Sequence, residues 1–332
     1  MIQDRTQAHA RLSCRTVRPA RILPGLVEDV QQGLLEPPRS LSPKYFYDER
    51  GSQLFDAICD TPEYYVTRTE DALLLDCAAD LIEGLRPAHI IEFGSGASRK
   101  TRHLFDQCAT AGYAAVYWPF DVCEEMLLHS GRHLLHRYDW LQVNALVGDY
   151  LAGLRHLPRP GGQCLYLFLG GTIGNFMPGE ALAFLREVRA GMGPGDRLLL
   201  GADRVKAPEI LHAAYNDQAG ITAEFNLNLL QVLNRELEAD FDPDAFRHEA
   251  VYNLAARRIE MYLVSRRNQT VTLARLDKVL KLESGERILT EISRKFTPDS
   301  LTELLTAAGF AVERHFQPDN GFFSLMLAAP AE

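Results

Sequence analysis

Residues 89–101 read HIIEFGSGASRKT, an apolar run that breaks into a glycine turn, and three ligand chemistries compete for such a turn. From Gly94 to Thr101 it spells G-x-x-x-x-R-K-T, with Arg99 where a phosphate-wrapping P-loop has glycine. As a dinucleotide fingerprint the turn also lacks its third glycine, the one that lets helix and strand pack closely around a pyrophosphate. Glu92, two residues before Gly94, makes the pattern E-x-G-x-G. A carboxylate at the mouth of the turn repels a pyrophosphate but suits S-adenosylmethionine (SAM), which carries a sulfonium and an ammonium. Asp121 does not discriminate, because NAD and SAM both offer a ribose. Asp149, in VGDY, can accept from an adenine amino group while the adjacent Tyr150 stacks on the ring. Glu92, Gly94, Gly96, Asp121 and Asp149 thus point to SAM. The alternative is a turn and two acids with structural roles only.

Those residues need strand ends to hold them, and the surrounding pattern supplies them. HIIEFGSG, AAVYWPFD, LQVNALVGDY, CLYLFLGGTIGNF and GDRLLLGAD read as apolar strands. They alternate with helical stretches such as SRKTRHLFDQCATAG, VCEEMLLHSGRHLLHRY and PGEALAFLREVRAGM. This alternation predicts an α/β fold, a doubly wound Rossmann-like parallel sheet with helices on both faces. After about residue 205 the pattern changes to helices over 206–235, then to period-two stretches, as in an antiparallel sheet. The end gives a Thr297-capped helix stopped by Gly309 and two strands around QPDNG, which complete the main sheet. Residues 69–205 plus 296–332 are therefore expected to form the SAM-binding domain. Residues 1–68 plus 206–295 are expected to form an inserted α+β substrate-binding domain, with 1–40 an irregular lead-in.

The bulk properties narrow the class. At 332 residues and 46% hydrophobic content the chain can bury two cores, and a net charge of −9 without a basic block argues against nucleic acid or an anionic membrane as partner. The N-terminus has no apolar h-region, and no stretch approaches the length of a membrane span. Six cysteines without a C-x-x-C pair fit a reducing cytoplasm and no thiolate metal site. His129, His133 and His136 share a helical face, but no carboxylate or cysteine completes a ligand set, so no metal is expected.

Longer strings carry a resemblance. KYFYDERGSQLFDAICDTPEYYVTRTE, IIEFGSGASRKT, PFDV, GGTIGNF, YNDQAGITAEFNLNLLQVLNREL and TEISRKF occur in order from about residue 40 to the C-terminus. Together they resemble the histidine-specific N-α-methyltransferases, which use SAM to convert L-histidine to its trimethylated betaine, hercynine, at the start of ergothioneine biosynthesis. The resemblance implies a SAM site of Tyr64, Gly94, Lys100, Asp121, Asp149 and Tyr150, with S-adenosylhomocysteine as product. It implies an amino-acid site of Tyr47, Phe55, Gly170, Asn175, Tyr215, Thr222, Met261, Glu291 and Ser293. Asn175, Tyr64 and Tyr215 would hold the substrate's carboxylate and amine, and Glu291 and Ser293 its imidazole. A small-molecule substrate and a monomer follow as expectations.

The implied roles are chemically coherent. An ionised Glu291 accepts the proton on one ring nitrogen, while Ser293 donates or accepts at the same edge. Leu, Phe or Trp would leave such polar groups unpaired. No His or Lys in the motifs is an evident base for the amine, so its proton is expected to pass to water or to a nearby tyrosine, Tyr64 or Tyr47. With Phe55, these tyrosines offer π-faces to a growing quaternary ammonium. The sequence departs from the family pattern at Leu169, Gly171 and Val66, where a proline, a serine and a proline are common, so affinity is the property in question. A tryptophan-type N-methyltransferase and a catalytically silent SAM-binding protein are the alternatives.

Overall fold

A computed structural model describes residues 11–331. Residues 1–10 and 332, which the domain reading includes, lie outside the described residues. The chain folds as two compact units. Among the described residues, one comprises 11–23, Thr69–Arg204 and 296–331; the other comprises Pro24–Arg68 and Val205–Lys295.

The first unit is built on an eight-stranded sheet. Its order is Leu12–Thr16, Gln142–Val147, Val116–Asp121, His89–Phe93, Cys164–Phe168, Arg197–Asp203, Phe323–Pro330, Phe310–Phe316. The first six strands are parallel, and Phe323–Pro330 runs antiparallel to both its neighbours. Central strands such as Cys164–Phe168 are buried along their whole length, as expected when helices cover both faces. Phe93, Phe120, Phe168, Phe184, Leu198, Leu200 and Phe310 form the core. From His89–Phe93 the chain winds outward on one side and then returns to Cys164–Phe168 on the other. That reversal is the switch point beyond whose carboxyl ends an open α/β sheet binds its ligand.

The lead-in departs from the sequence expectation. Leu12–Thr16 pairs in parallel with Gln142–Val147, and Arg11 donates to the carbonyls of Tyr138 and Asp139 at 2.9 Å and of Leu141 at 3.1 Å. The described residues up to Leu23 therefore belong with the large sheet and not with the insertion. Only Leu12 and Cys14 alternate with polar residues here, too short a period to show as a strand, and the edge it completes supplies the hydrogen bonds.

The second unit carries a four-stranded sheet in the order Arg39–Ser40, Arg287–Arg294, Arg258–Ser265, Phe246–Asn253, with a separate hairpin of Gln269–Leu273 and Lys278–Leu282. The helix Ile221–Leu237 packs on this sheet and on the helix Glu49–Cys59. Gly51 permits the turn into the latter helix, because a Cβ there would collide with the Phe46 carbonyl. A buried polar chain ties the helices to the strands. Thr290 Oγ1 donates to Asn226 Oδ1 (2.8 Å), Asn226 Nδ2 donates to His248 Nδ1 (2.9 Å), and His248 Nε2 meets the Tyr215 carbonyl at 2.8 Å. Burial depresses the His248 pKa, so the ring stays neutral and bridges the two.

Candidate active site

In the first unit the glycine turn leaves the strand His89–Phe93 with Gly94 at φ +66° and Gly96 at φ +48°, conformations that favour glycine. A Cβ on Gly96 would meet open space, whereas one on Gly94 would face the Tyr150 ring at 3.6 Å. Asp121 frames the turn from the next strand, accepting from Gly96 N at 3.0 Å and from Cys123 N at 3.1 Å. Between the two glycines, the buried Ser95 hydroxyl has no hydrogen-bond partner among the described residues. Asp149 caps the short turn Tyr150–Ala152 by accepting from Leu151 N at 2.7 Å. This places Tyr150 against Phe168, Phe176 and Phe184, with ring centroids 5.5–6.1 Å apart. Burial, then Asp149 and Asp121, raises the Tyr150 pKa, so the ring beside the turn stays neutral.

Glu92 stands at the end of the strand, two residues before Gly94, with its carboxylate turned to its own partners. Its buried carboxylate accepts from Thr101 Oγ1 at 2.6 Å and from Tyr117 OH, joining the strand end to the start of the following helix. Burial lifts its pKa to about 7 against the opposing hydrogen bonds from Thr101 and Tyr117. Its observed contacts frame the turn, so any direct contact with a ligand is an additional role.

Lys100 and Gly170 meet at a residue that the motifs did not single out. Glu70 is fully buried, pairs with the Lys100 ammonium, and accepts from Gly170 N at 2.8 Å on both oxygens. Gly201 makes room for it, since a Cβ there would strike the Glu70 carboxylate. Gly170 and Gly171 lie at φ +80° and +68°, so the departure at Gly171 supplies a second left-handed residue to this loop. Leu169 is buried ahead of them. The half-buried Asn175 ends the short turn Thr172–Asn175, and its side-chain amide makes no hydrogen bond to any described residue.

In the second unit, Glu291 stands directly across from Met261, one residue after a bulge that shifts the register from Leu289. Bulges re-aim side chains, and here the result is a half-buried carboxylate that takes no hydrogen bond from any described residue. Burial raises its pKa to about 7, with Lys295 pulling the other way. Ser293, two residues on, is buried and accepts from Tyr215 OH at 2.8 Å and from Lys295 Nζ at 2.8 Å. Thr222 is buried on the first turn of its helix, whose end Asp217 caps through Ile221 N and Thr222 N at 2.8 Å. Tyr47, Phe55 and Tyr64 form a chain of rings with centroids 5.8 and 6.4 Å apart, and Tyr64 continues to Tyr215 at 6.0 Å. Phe225, which the motifs did not single out, contacts both Tyr47 and Phe55. Burial, then Tyr215, Cys59, Glu291 and Tyr47, raises the Tyr64 pKa well above its ordinary value.

Comparison with known proteins decides what these two sets of residues belong to. Residues 26–330 match the sequence model of the family described as histidine-specific, SAM-dependent methyltransferases. The chain belongs to that family. It is 44% identical over 304 residues to the histidine N-alpha-methyltransferase of Mycobacterium tuberculosis (strain CDC 1551 / Oshkosh), covering 92% of this chain and 94% of that one. The corresponding enzyme of Mycolicibacterium smegmatis is 43% identical over 303 residues, covering 91% and 94%. Ergothioneine biosynthesis protein 1 of Neurospora crassa is 33% identical over 279 residues, covering 82% of this chain and 31% of that protein.

The methyltransferase's first unit fits the methyl donor on its own chemistry. The Ser95 hydroxyl, unpartnered among the described residues, the open side of Gly96 and the Tyr150 ring facing Gly94 lie together at the carboxyl ends of the strands, where the sheet binds a ligand. Two partners were invisible to the motifs, although each left a trace. Gly201 interrupts the apolar strand RLLLGAD, a sign of close approach by another group, and that group is Glu70. Lys295 follows Glu291 and Ser293 at steps of two, the spacing that puts residues on one face of a strand. His129, His133 and His136 are exposed on the helix Glu124–Arg137. No helix among the described residues is long and apolar enough to cross a membrane.

Proposed function

We infer that this enzyme transfers methyl groups from SAM to the α-amine of L-histidine until the amine is quaternary, giving hercynine. The observation that carries the reading is Glu291, a half-buried carboxylate that takes no hydrogen bond from any described residue, one step along the strand face from Ser293. When ionised, this carboxylate only accepts and so demands an N–H, which an imidazole supplies and an aliphatic or phenyl side chain does not. The family and its relatives support the same substrate.

When bound, SAM supplies an electrophilic methyl on a sulfonium. Gly94, Gly96, Asp121, Asp149 and Tyr150 would hold its nucleoside end. Lys100, kept in place by Glu70, would meet the carboxylate of its amino-acid end. Tyr64 and Tyr215 would fix the carboxylate and amine of histidine, with Met261, Thr222 and Phe55 shaping the space around it. Held geometry then supplies much of the acceleration, on the order of several kcal/mol. The raised pKa of Tyr64 keeps its hydroxyl protonated, so Tyr64 orients the amine and the amine's proton leaves to water. The rings of Tyr47, Phe55 and Tyr64 present π-faces to the increasingly methylated nitrogen, which retains partly methylated intermediates.

The test is mass spectrometry of L-histidine incubated with enzyme and SAM. Three successive methyl increments on the α-nitrogen are expected, and an unmodified histidine pool beside an intact SAM site would overturn the assignment.

A further inference from the structure

The reading of Glu291 and Ser293 as the imidazole-binding pair leaves open which way each hydrogen bond runs. A hydroxyl offers one proton and two lone pairs. Ser293 Oγ receives Tyr215 OH at 2.8 Å and Lys295 Nζ at 2.8 Å, so both lone pairs are used. The direction of these bonds follows from their partners. An ammonium can only donate, and a phenol is the stronger donor of two facing hydroxyls. Lys295 also lies 3.1 Å from Tyr215 OH and 4.8 Å above the Tyr215 ring, which locks the three groups into a triangle. All three are buried, with Lys295 only 4% exposed, so water does not compete. The Ser293 proton has no acceptor among the described residues.

We propose that Lys295 is a specificity-determining residue. By occupying Ser293 it makes that hydroxyl an obligate donor, so the Glu291–Ser293 pair selects a neutral imidazole in one tautomer. This rests on the histidine reading above and deepens it. Glu291 accepts the one ring N–H, and Ser293 donates to the other, unprotonated nitrogen. An imidazolium carries two N–H groups and finds an acceptor for only one. A ring with a single N–H and no second nitrogen leaves the Ser293 proton buried and unpaired. Lys295 acts through Ser293 and needs no contact with the substrate.

The two pyrrolylalanines keep one ring N–H and lack the second nitrogen, so they isolate this effect. Their kcat/KM values are compared with that of L-histidine for wild-type enzyme, Lys295→Gln and Ser293→Ala, with S-adenosylhomocysteine affinity as the control for an intact fold. Wild-type enzyme is expected to prefer histidine over the better pyrrolyl isomer by about tenfold or more, as an unpaired buried donor requires. In Lys295→Gln the amide oxygen accepts the Ser293 proton, so the preference contracts to within about threefold. Ser293→Ala, which deletes the donor, contracts it equally. Should Lys295→Gln fail to fold, Lys295→Asn offers an amide oxygen on a shorter tether and is expected to contract the preference in the same way. A folded Lys295 variant that loses activity on histidine and pyrrolylalanine alike, keeping the wild-type ratio, overturns the proposal. Failure of the histidine reading looks different, because the wild-type enzyme would then turn over none of the three.

Discussion

Glu291→Gln removes the charge from the ring-binding carboxylate while keeping an oxygen that accepts a hydrogen bond. Burial lifts the Glu291 pKa to about 7. About one site in eleven is therefore ionised at pH 6 and about ten in eleven at pH 8. Only the ionised form is purely an acceptor; the protonated form presents its own hydrogen where the ring N–H must sit. The affinity of wild type for L-histidine, divided by that of the glutamine variant, should thus grow about tenfold from pH 6 to pH 8. Titration of histidine itself cancels in this ratio. At pH 8 the variant should lose about 1–2 kcal/mol, the difference between a charged and a neutral acceptor, or roughly five- to thirtyfold in Kd. Calorimetric titration with L-histidine in the presence of S-adenosylhomocysteine at three pH values reads both quantities. A ratio flat with pH would refute the assignment of Glu291 as the titrating acceptor.

Three further outcomes can be checked. Glu70→Gln leaves the half-buried Lys100 ammonium without its buried counter-charge, so S-adenosylhomocysteine affinity should fall by about tenfold or more; a folded variant with unchanged affinity would remove Glu70 from the cofactor site. Tyr47→Phe and Tyr64→Phe should each shift the ratio of mono-, di- and trimethylated products in single-enzyme time courses, and identical ratios in both would sink the retention idea. The raised pKa of Glu92, about 7, means that the folded state keeps a proton that the unfolded chain has already lost near the ordinary carboxylate value. Stability should therefore fall as pH rises from about 4.5 to about 7, and Glu92→Gln should flatten that slope in thermal melts; an unchanged slope would contradict it.

The legibility of this enzyme in its sequence differs from residue to residue for physical reasons. The central strands were visible because burial on both faces forces an unbroken apolar run, as in CLYLF and RLLLGAD. Leu12–Thr16 was not, because an edge strand owes its place to a partner far along the chain. Glu291 and Ser293 were reached through a specific string, TEISRKF, and the bulge that sets Glu291 opposite Met261 has no local signature. Glu92 was read as a ligand group because its position is right, but its hydrogen bonds come from Thr101 and Tyr117, which only the folded sheet brings together. Glu70 and Lys295 look like ordinary surface charges in TRTEDA and SRKF. Their burial is a property of the tertiary structure, and only Gly201 and the two-residue spacing hinted at it.

The central claim is that the second unit reads an imidazole through Glu291 and Ser293. Its most direct test is calorimetric titration of the wild-type enzyme, in the presence of S-adenosylhomocysteine, with L-histidine and separately with L-tryptophan. The account predicts saturable heat with L-histidine and none, or far weaker binding, with L-tryptophan. Heat with L-tryptophan alone would contradict it.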